Sequence, residues 1–242
     1  MGDQDRTPEG VTALRPTRRG TMAATVTAAL RDLIVIGEIP PGAPLRLEEI
    51  AHQLGMSISP VREAVRQLEG LGLAEHIPYK GARVTVIDRD EMRDVYEARL
   101  ALESVAVRRA AVAFDQERET SLARALEELS AAYASGERMR VIRANTAFHI
   151  ALAAASGSKW LPRLLRPILE TSERFSALVI GDAAEAVYAV EEKGHAAILE
   201  ACRQRDSEDA EQAMRQHLEV FGQLFERDLP TADGGETTID HF

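Results

Sequence analysis

The residues of this chain best equipped for coordination chemistry are the three histidines that fall within predicted helices of its second half, His149, His195 and His217. Neutral imidazole suits Zn²⁺ and other borderline divalent ions, and an amide or carboxylate oxygen can complete the inner shell. Asn145 stands four residues before His149, so on a helix both side chains leave the same face one turn apart, as two ligands of one ion must. Spacing alone leaves a second reading open, in which three histidines distant in sequence are unrelated surface or core residues. Arg99 shares a helical face with Tyr96, Leu102, Glu103 and Ala106, where a lone inward cation is costly unless paired. Its partner is either Glu103, at i+4, or the carboxylate of a bound small molecule.

A second constellation lies nearer the N-terminus. On a helix running from Ser59 to about Gly70, Val61, Ala64, Val65, Leu68 and Leu71 fall on one face, leaving Ser59, Arg62, Glu63 and Arg66 on the other. Arginines at i and i+4 on an exposed helix can reach guanine edges or clamp backbone phosphates. Lys80 and Arg83 flank Gly81, where the missing side chain lets backbone approach a sugar-phosphate wall. The plainer reading is a solvated face with Arg62 and Arg66 paired to Glu63 and Glu69.

These residues need scaffolds. Apolar spacing predicts a helix over 21–36, stopped by Pro40-Pro41-Gly42, and a short one over 47–54 ended by Gly55. The third helix opens with Ser59 as N-cap and Pro60 at its first position. β-prone stretches at 73–77 and 83–86, separated by Pro78-Tyr79-Lys80-Gly81, read as a hairpin. Beyond Asp88 the chain becomes amphipathic helices over roughly 90–112, 116–134, 138–155, 161–180, 184–203 and 207–227. Caps are signalled by Asp88 with Glu91, Asp182 with Glu185, and Asp206 with Asp209. The expected fold is mainly α: a winged helix-turn-helix with a small β-hairpin wing at 21–87, then an antiparallel all-α bundle of about six helices at 90–228. Residues 1–20, with Arg18 and Arg19, and 229–242 lack periodicity and read as disordered tails. Phe148, Trp160 and Phe175 are expected in the core or a pocket wall, and Arg143 in solvent.

Composition narrows the function. The 242 residues suit one small and one medium domain. No long apolar run and no N-terminal leader pattern is present, so a soluble cytoplasmic protein without membrane contact is expected. The single cysteine, Cys202, excludes an intrachain disulfide and reads as a helix-face residue rather than a nucleophile. Net charge is −10, yet residues 18–89 carry +1 and residues 90–242 carry −10. Only the head of such a chain is suited to phosphates.

The run Leu47-Glu48-Glu49-Ile50-Ala51, then Gly55-Met56-Ser57-Ile58-Ser59-Pro60-Val61-Arg62-Glu63-Ala64-Val65-Arg66-Gln67-Leu68-Glu69, resembles the winged-helix signature of the GntR family over about 22–87. The resemblance implies DNA contacts from Arg62, Arg66 and Gly81, and DNA-binding roles for Ser57, Ser59, Lys80 and Arg83 are expected with them. Ile58 departs from the arginine that many members carry there, which removes one polar contact and leaves a thymine methyl as its candidate partner. Tyr96-Glu97-Ala98-Arg99-Leu100-Ala101-Leu102-Glu103, Asn145-Thr146-Ala147-Phe148-His149, His195 and His217-Leu218 resemble the FCD effector domain of the FadR-like branch over about 90–226. That resemblance implies a divalent metal, Zn²⁺ first and Ni²⁺ or another transition metal next, on Asn145, His149, His195 and His217. Asn145 replaces an aspartate common in the family, so the site has one less negative charge.

The reading is a homodimeric, non-enzymatic transcription regulator. Paired winged helices would read a pseudo-palindromic operator in double-stranded DNA, and an organic acid held by the metal and Arg99 would modulate binding. One rival is a metal-dependent hydrolase or lyase on the same histidines; against it, no acid adjoins them in a motif such as His-Glu-x-x-His. Another is a regulator whose metal is purely structural.

Overall fold

The structure is a computed structural model that describes residues 22–86, 89–179 and 184–228. The expected tails, Arg18 and Arg19, and the caps Asp88 and Asp182 lie outside the described residues. The chain divides into two compact units, residues 1–87 and 88–242.

In the first unit, α1 (Met22–Val35), α2 (Leu47–Gln53) and α3 (Ile58–Gly70) enclose an apolar core with a small sheet. Leu30, Ile50, Val61, Ala64 and Leu68 are fully buried in it. Thr27 ties α1 to α3 through its hydroxyl at 2.8 Å from Gln67 Oε1. Helix α3 begins two residues earlier than a Ser59 cap would give: Ser57 is the extended N-cap residue, and Pro60 sits inside the first turn. Proline is tolerated there because first-turn amides have no helical acceptor. Gly55 turns the chain between α2 and α3 with φ +62°.

The sheet holds one strand more than the hairpin expected. Strands β1 (Pro44–Leu45), β2 (Ala74–Ile77) and β3 (Gly81–Val84) are antiparallel in the order β1-β3-β2. Two residues are too few for β1 to show an alternation, and it is held instead by backbone pairing, with the Val84 amide donating to the Ala43 carbonyl at 2.9 Å. The wing turn is tight because Tyr79 (φ +65°) and Gly81 (φ +84°) are both left-handed. The Lys80 amide then bonds the Ile77 carbonyl at 3.0 Å, so β3 starts two residues earlier than the alternation suggested.

The second unit is helical throughout its described residues: α4 (Arg89–Val112), α5 (Gln116–Ser135), α6 (Arg138–Ala155), α7 (Leu161–Val179), α8 (Ala184–Gln204) and α9 (Ser207–Asp228). Two caps are made by aspartates. The Asp115 side chain accepts from the Arg118 amide at 2.9 Å, and Asp206 accepts from the Glu208 and Asp209 amides at 3.0 Å. Helix α4 is the central element, packing on α6, α7, α8 and α9. Small residues let it approach: Ala106 on α4 and Ala153 on α6 meet Leu161, Leu165 and Leu169 on α7. Phe148 and Phe175 are fully buried, whereas Trp160 is 65 % exposed beneath the Arg163 guanidinium and is not core. It precedes the first turn of α7, so it lies outside the face that carries Leu161, Leu165 and Leu169.

Candidate functional site

Helices α6, α8 and α9 bring His149, His195 and His217 together in the interior of the second unit. All three are buried, and one ligand nitrogen from each lies within 4.8 Å of the others. Nitrogens bound tetrahedrally to one ion at ~2.1 Å lie ~3.4 Å apart, so the cluster needs to contract by up to about 1.4 Å to hold one. The rings pack as aromatics do, His195 against His217 with centroids 4.2 Å apart and Phe148 edge-on to His195 at 4.8 Å.

Hydrogen bonding fixes which nitrogen is offered. His195 Nδ1 donates to the Glu191 carbonyl at 2.7 Å, so the lone pair is on Nε2, which is buried without a partner. His149 Nδ1 is bonded to Glu103 Oε2, which leaves Nε2 facing inward, 3.4 Å from an Arg99 nitrogen. A carboxylate behind a histidine that presents its other nitrogen is the arrangement that orients metal ligands. Burial, together with the neighbouring imidazoles, lowers the pKa of His195 and His217 well below the ordinary histidine value, so both are neutral with free lone pairs. Asn145 Oδ1, one turn before His149, is also buried and unpartnered. Two orphaned acceptors, neutral imidazoles and a carboxylate-backed histidine fit a divalent cation, so the four residues expected from sequence are chemically suited to one.

Two acids that the histidine spacing did not flag complete the centre. Burial alone would raise the Glu103 carboxyl, but His149 and Arg99 overcome this and hold its pKa at about 2. Arg99 Nε donates to Glu103 Oε1 at 2.8 Å with both side chains buried, so the i+4 partner considered from sequence is present. Burial pushes Glu191 up to about 8, although Arg99 pulls it down, and its Oε1 lies 3.9 Å from His217 Nδ1. Close packing of α8 on α9 is possible because residue 194 is glycine; a Cβ there would stand 2.7 Å from His217 Nδ1. Helical i+4 spacing named Glu103 as a partner for Arg99, though not for His149, and Glu191 stands four residues before His195; nothing in the sequence marks Gly194. Beside the centre, Asn145, Thr146, Glu173, Tyr188 and Glu191 line a recess.

In the first unit the structure gathers the other constellation around one cleft, which Arg46, Arg62, Arg66, Lys80 and Gly81 line between α3 and the wing. Ser57, Ser59, Arg62, Arg66, Lys80 and Gly81 are exposed. Arg66 pairs with Glu63 at 3.2 Å, while Arg62 makes no ion pair among the described residues. Arg83 is half-buried and bonded to Glu75 at 2.8 Å, its register partner on β2. Ile58 packs against the apolar core rather than standing free for a thymine methyl. No helix among the described residues is long and apolar enough to cross a membrane.

Known proteins resemble both units. Residues 22–84 match the family described as bacterial regulatory proteins, gntR family, and residues 94–220 match the FCD domain. The protein described as the "Probable D-xylose utilization operon transcriptional repressor" of Paenarthrobacter nicotinovorans is 32% identical over 206 residues, 81% of this chain and 87% of that protein. The HTH-type transcriptional repressor GlaR of Escherichia coli (strain K12) is 28% identical over 196 residues, 78% of this chain and 89% of GlaR. The E. coli McbR/YncC structure has the same fold, with a TM-score of 0.72 at 22% identity over 86% of this chain and 98% of that one. A GntR regulator from Rhodococcus sp. RHA1 superposes with a TM-score of 0.73 at 26% identity over 86% of this chain and 99% of that chain.

Proposed function

The chain belongs to the gntR family of bacterial regulatory proteins, with an FCD domain, and is a transcriptional regulator; on that premise we propose that its grip on DNA is set by an organic acid bound beside a divalent metal in the helical unit. The observation that carries this reading is the buried cluster of three histidines with two orphaned acceptors, His195 Nε2 and Asn145 Oδ1. Asn145, His149, His195 and His217 hold the ion, with Zn²⁺ preferred on ligand type and Ni²⁺ next. When bound, the ion supplies a Lewis-acidic anchor for a carboxylate.

Charge supports an anionic effector. Glu103, ionised, offsets Arg99 and no more, so a divalent ion among neutral imidazoles leaves positive charge in a dry interior that a carboxylate offsets in part. Arg99, next to His149, is placed to share that carboxylate. Glu103 is held ionised at about 2 and is engaged by two partners, which suits an orienting role rather than the general base a hydrolase would need. At the other end of the chain, Arg62, Arg66 and Lys80, with the Gly81 backbone, meet the DNA, and Ser57 and Ser59 contact phosphates near the start of α3. Arg83, tied to Glu75, contributes through the wing's shape or after exchange of that pair. Two copies form a homodimer that matches a pseudo-palindromic operator.

The test is metal analysis of protein purified without chelator or affinity tag, wild type against the His149→Ala, His195→Ala double variant. About one divalent ion per chain, absent from the variant, is expected. An empty wild type that also refuses added Zn²⁺ and Ni²⁺ sinks the metal-anchored reading and leaves the DNA-binding unit standing. A metal whose removal unfolds the helical unit, with no carboxylate altering DNA binding, would make it purely structural.

A further inference from the structure

Tyr79 stands at the apex of the wing, in a turn that glycine would fill with less strain. The Lys80 amide bonds the Ile77 carbonyl at 3.0 Å, closing a four-residue turn in which Pro78 is second and Tyr79 third. Tyr79 has φ +65°, a left-handed backbone that glycine adopts readily and a bulky side chain does not. Packing gives nothing in return. The residue is 107 % exposed, and no hydrogen bond or ring contact holds its side chain among the described residues. A side chain that strains its own backbone and rests on nothing does not serve the fold, and strain of this kind gathers where a residue meets a ligand.

The surroundings of Tyr79 name the partner. Lys80 and Gly81 follow it directly and line the cleft that Arg62 and Arg66 of α3 also line. A lysine and a missing side chain suit a phosphate wall better than an apolar protein surface, and a single exposed ring is no docking patch. A helix in the major groove has a sugar-phosphate strand on either side, and beyond each strand lies a minor groove. With α3 in the major groove, one such strand runs through the cleft. Tyr79 is outside the cleft lining, so the apex extends past that strand to the minor groove. There a flat ring can enter between bases, most easily at pyrimidine–purine steps, which unstack readily, while its phenol group stays in the wet groove.

We infer that Tyr79 is a specificity residue that acts as a wedge: its ring parts the two base pairs of a pyrimidine–purine step in the minor groove beside the bases that α3 reads. This rests on the reading that α3 and the wing meet DNA. The wedge selects a step by how easily it opens rather than by its hydrogen-bonding edges, so it adds a sequence preference that the arginines of α3 do not carry.

The test is selection of duplexes from a random-sequence pool on the full-length protein, wild type against Tyr79→Phe, Tyr79→Ala and Tyr79→Gly. Fluorescence anisotropy of each protein on the wild-type duplex follows. Wild type and Tyr79→Phe are expected to enrich a pyrimidine–purine step at a fixed distance from the bases α3 reads. Tyr79→Ala and Tyr79→Gly should keep those bases, lose the step, and bind the wild-type duplex about tenfold more weakly, the size of one lost base–aromatic contact. Their salt slope should match the wild type, because the ring carries no charge. Tyr79→Gly also separates contact from fold: glycine relieves the left-handed turn, so its Tm should equal or exceed the wild-type value while its affinity falls. Tyr79→Ala that binds within about twofold of wild type, or keeps the step, overturns this inference and leaves the α3 contacts standing. So does a Tyr79→Phe protein that loses as much as Tyr79→Ala, which would put the contact on the hydroxyl, or a salt slope lower by about one, which would mean that Lys80 had been displaced. An Arg62→Ala, Arg66→Ala protein that selects and binds as the wild type does overturns the reading beneath it as well.

Discussion

Gly194→Ala separates the proposed metal site from the fold around it. The added methyl would stand 2.7 Å from His217 Nδ1, 3.4 Å from Cγ and 3.5 Å from Cβ. Ordinary contact begins near ~3.5 Å, so the imidazole must withdraw by roughly 0.8 Å. Metal ligands tolerate about 0.2 Å of misplacement, and a shift several times larger should weaken Zn²⁺ binding by at least ~10–100-fold. Stability responds differently. Alanine in a helix interior gains ~0.8–1 kcal/mol over glycine, while overpacking costs ~1–3 kcal/mol, so the net loss is ~0–2 kcal/mol. That corresponds to a fall in Tm of no more than roughly 8 °C for a unit of this size. The assay is competition with a chromophoric zinc chelator, alongside thermal denaturation of chelator-treated protein. A variant that melts within this range and binds zinc as the wild type does would refute the reasoning, because His217 would then not be a ligand held by its contact with α8.

The DNA face gives a salt signature. Arg62→Ala with Arg66→Ala should lower the slope of log affinity against log salt by up to ~2 on duplex DNA, measured by fluorescence anisotropy across KCl concentrations; an unchanged slope would remove α3 from the phosphates. Glu103→Ala strands the buried Arg99 charge and should cost about 3–5 kcal/mol in urea denaturation, most of it recovered in Arg99→Met, Glu103→Leu; a cost below ~1 kcal/mol would mean water reaches the pair. Chelator-treated protein should be most stable near pH 6.5 to 7. Its His195 and His217 titrate far below their ordinary value of 6.5, so below that pH the unfolded chain binds more protons than the folded one and stability falls. Glu191, raised from 4.5 to about 8, opposes this, because the folded chain keeps a proton the unfolded chain has lost, a contribution that fades as pH rises toward 8. One net proton then gives a rise of about 1.4 kcal/mol per unit between pH ~5 and ~6. Denaturant titrations across this range would contradict the burial of the two histidines if stability were flat.

Periodicity placed nearly every helix in the sequence because each buries one stripe, and the apolar faces of α3 and α7 are continuous enough to be read without partners. It missed β1, whose existence depends on β3 supplying backbone partners 39 residues away at Pro44↔Arg83. It placed the start of α3 two residues late, at Ser59, because serine stands at both 57 and 59 and the pattern alone does not choose between them. Side-chain type announced the histidines, whereas Gly194 and Glu191 matter only through what α9 sets against them. Trp160 was misplaced for a related reason: an aromatic residue is usually buried, but here the helix face begins one residue later, at Leu161.

The cost of this centre argues for regulation rather than support. Arg99, Glu103, His149, His195, His217 and Glu191 are all buried in one small volume, where apolar side chains of the same size would hold the helices at least as well. Such a group is retained where its energy depends on what is bound. With no ion, Asn145 Oδ1 and His195 Nε2 go unpaired. An ion alone satisfies them but adds charge to an interior where Glu103 is already paired with Arg99. Ion and carboxylate together satisfy both conditions, so the two should bind with positive coupling, each raising the other's affinity by the same factor. The proposed carboxylate would also draw on Arg99, which sits on α4, the first helix after the division at residues 87 and 88. A ligand shifts an equilibrium only by its differential affinity for the two states, and Arg99 is where that difference can enter the helix leading back to the DNA-binding unit. Replacing Arg99 by Lys keeps the charge and loses the fork, so zinc binding should survive while the carboxylate ceases to alter DNA affinity.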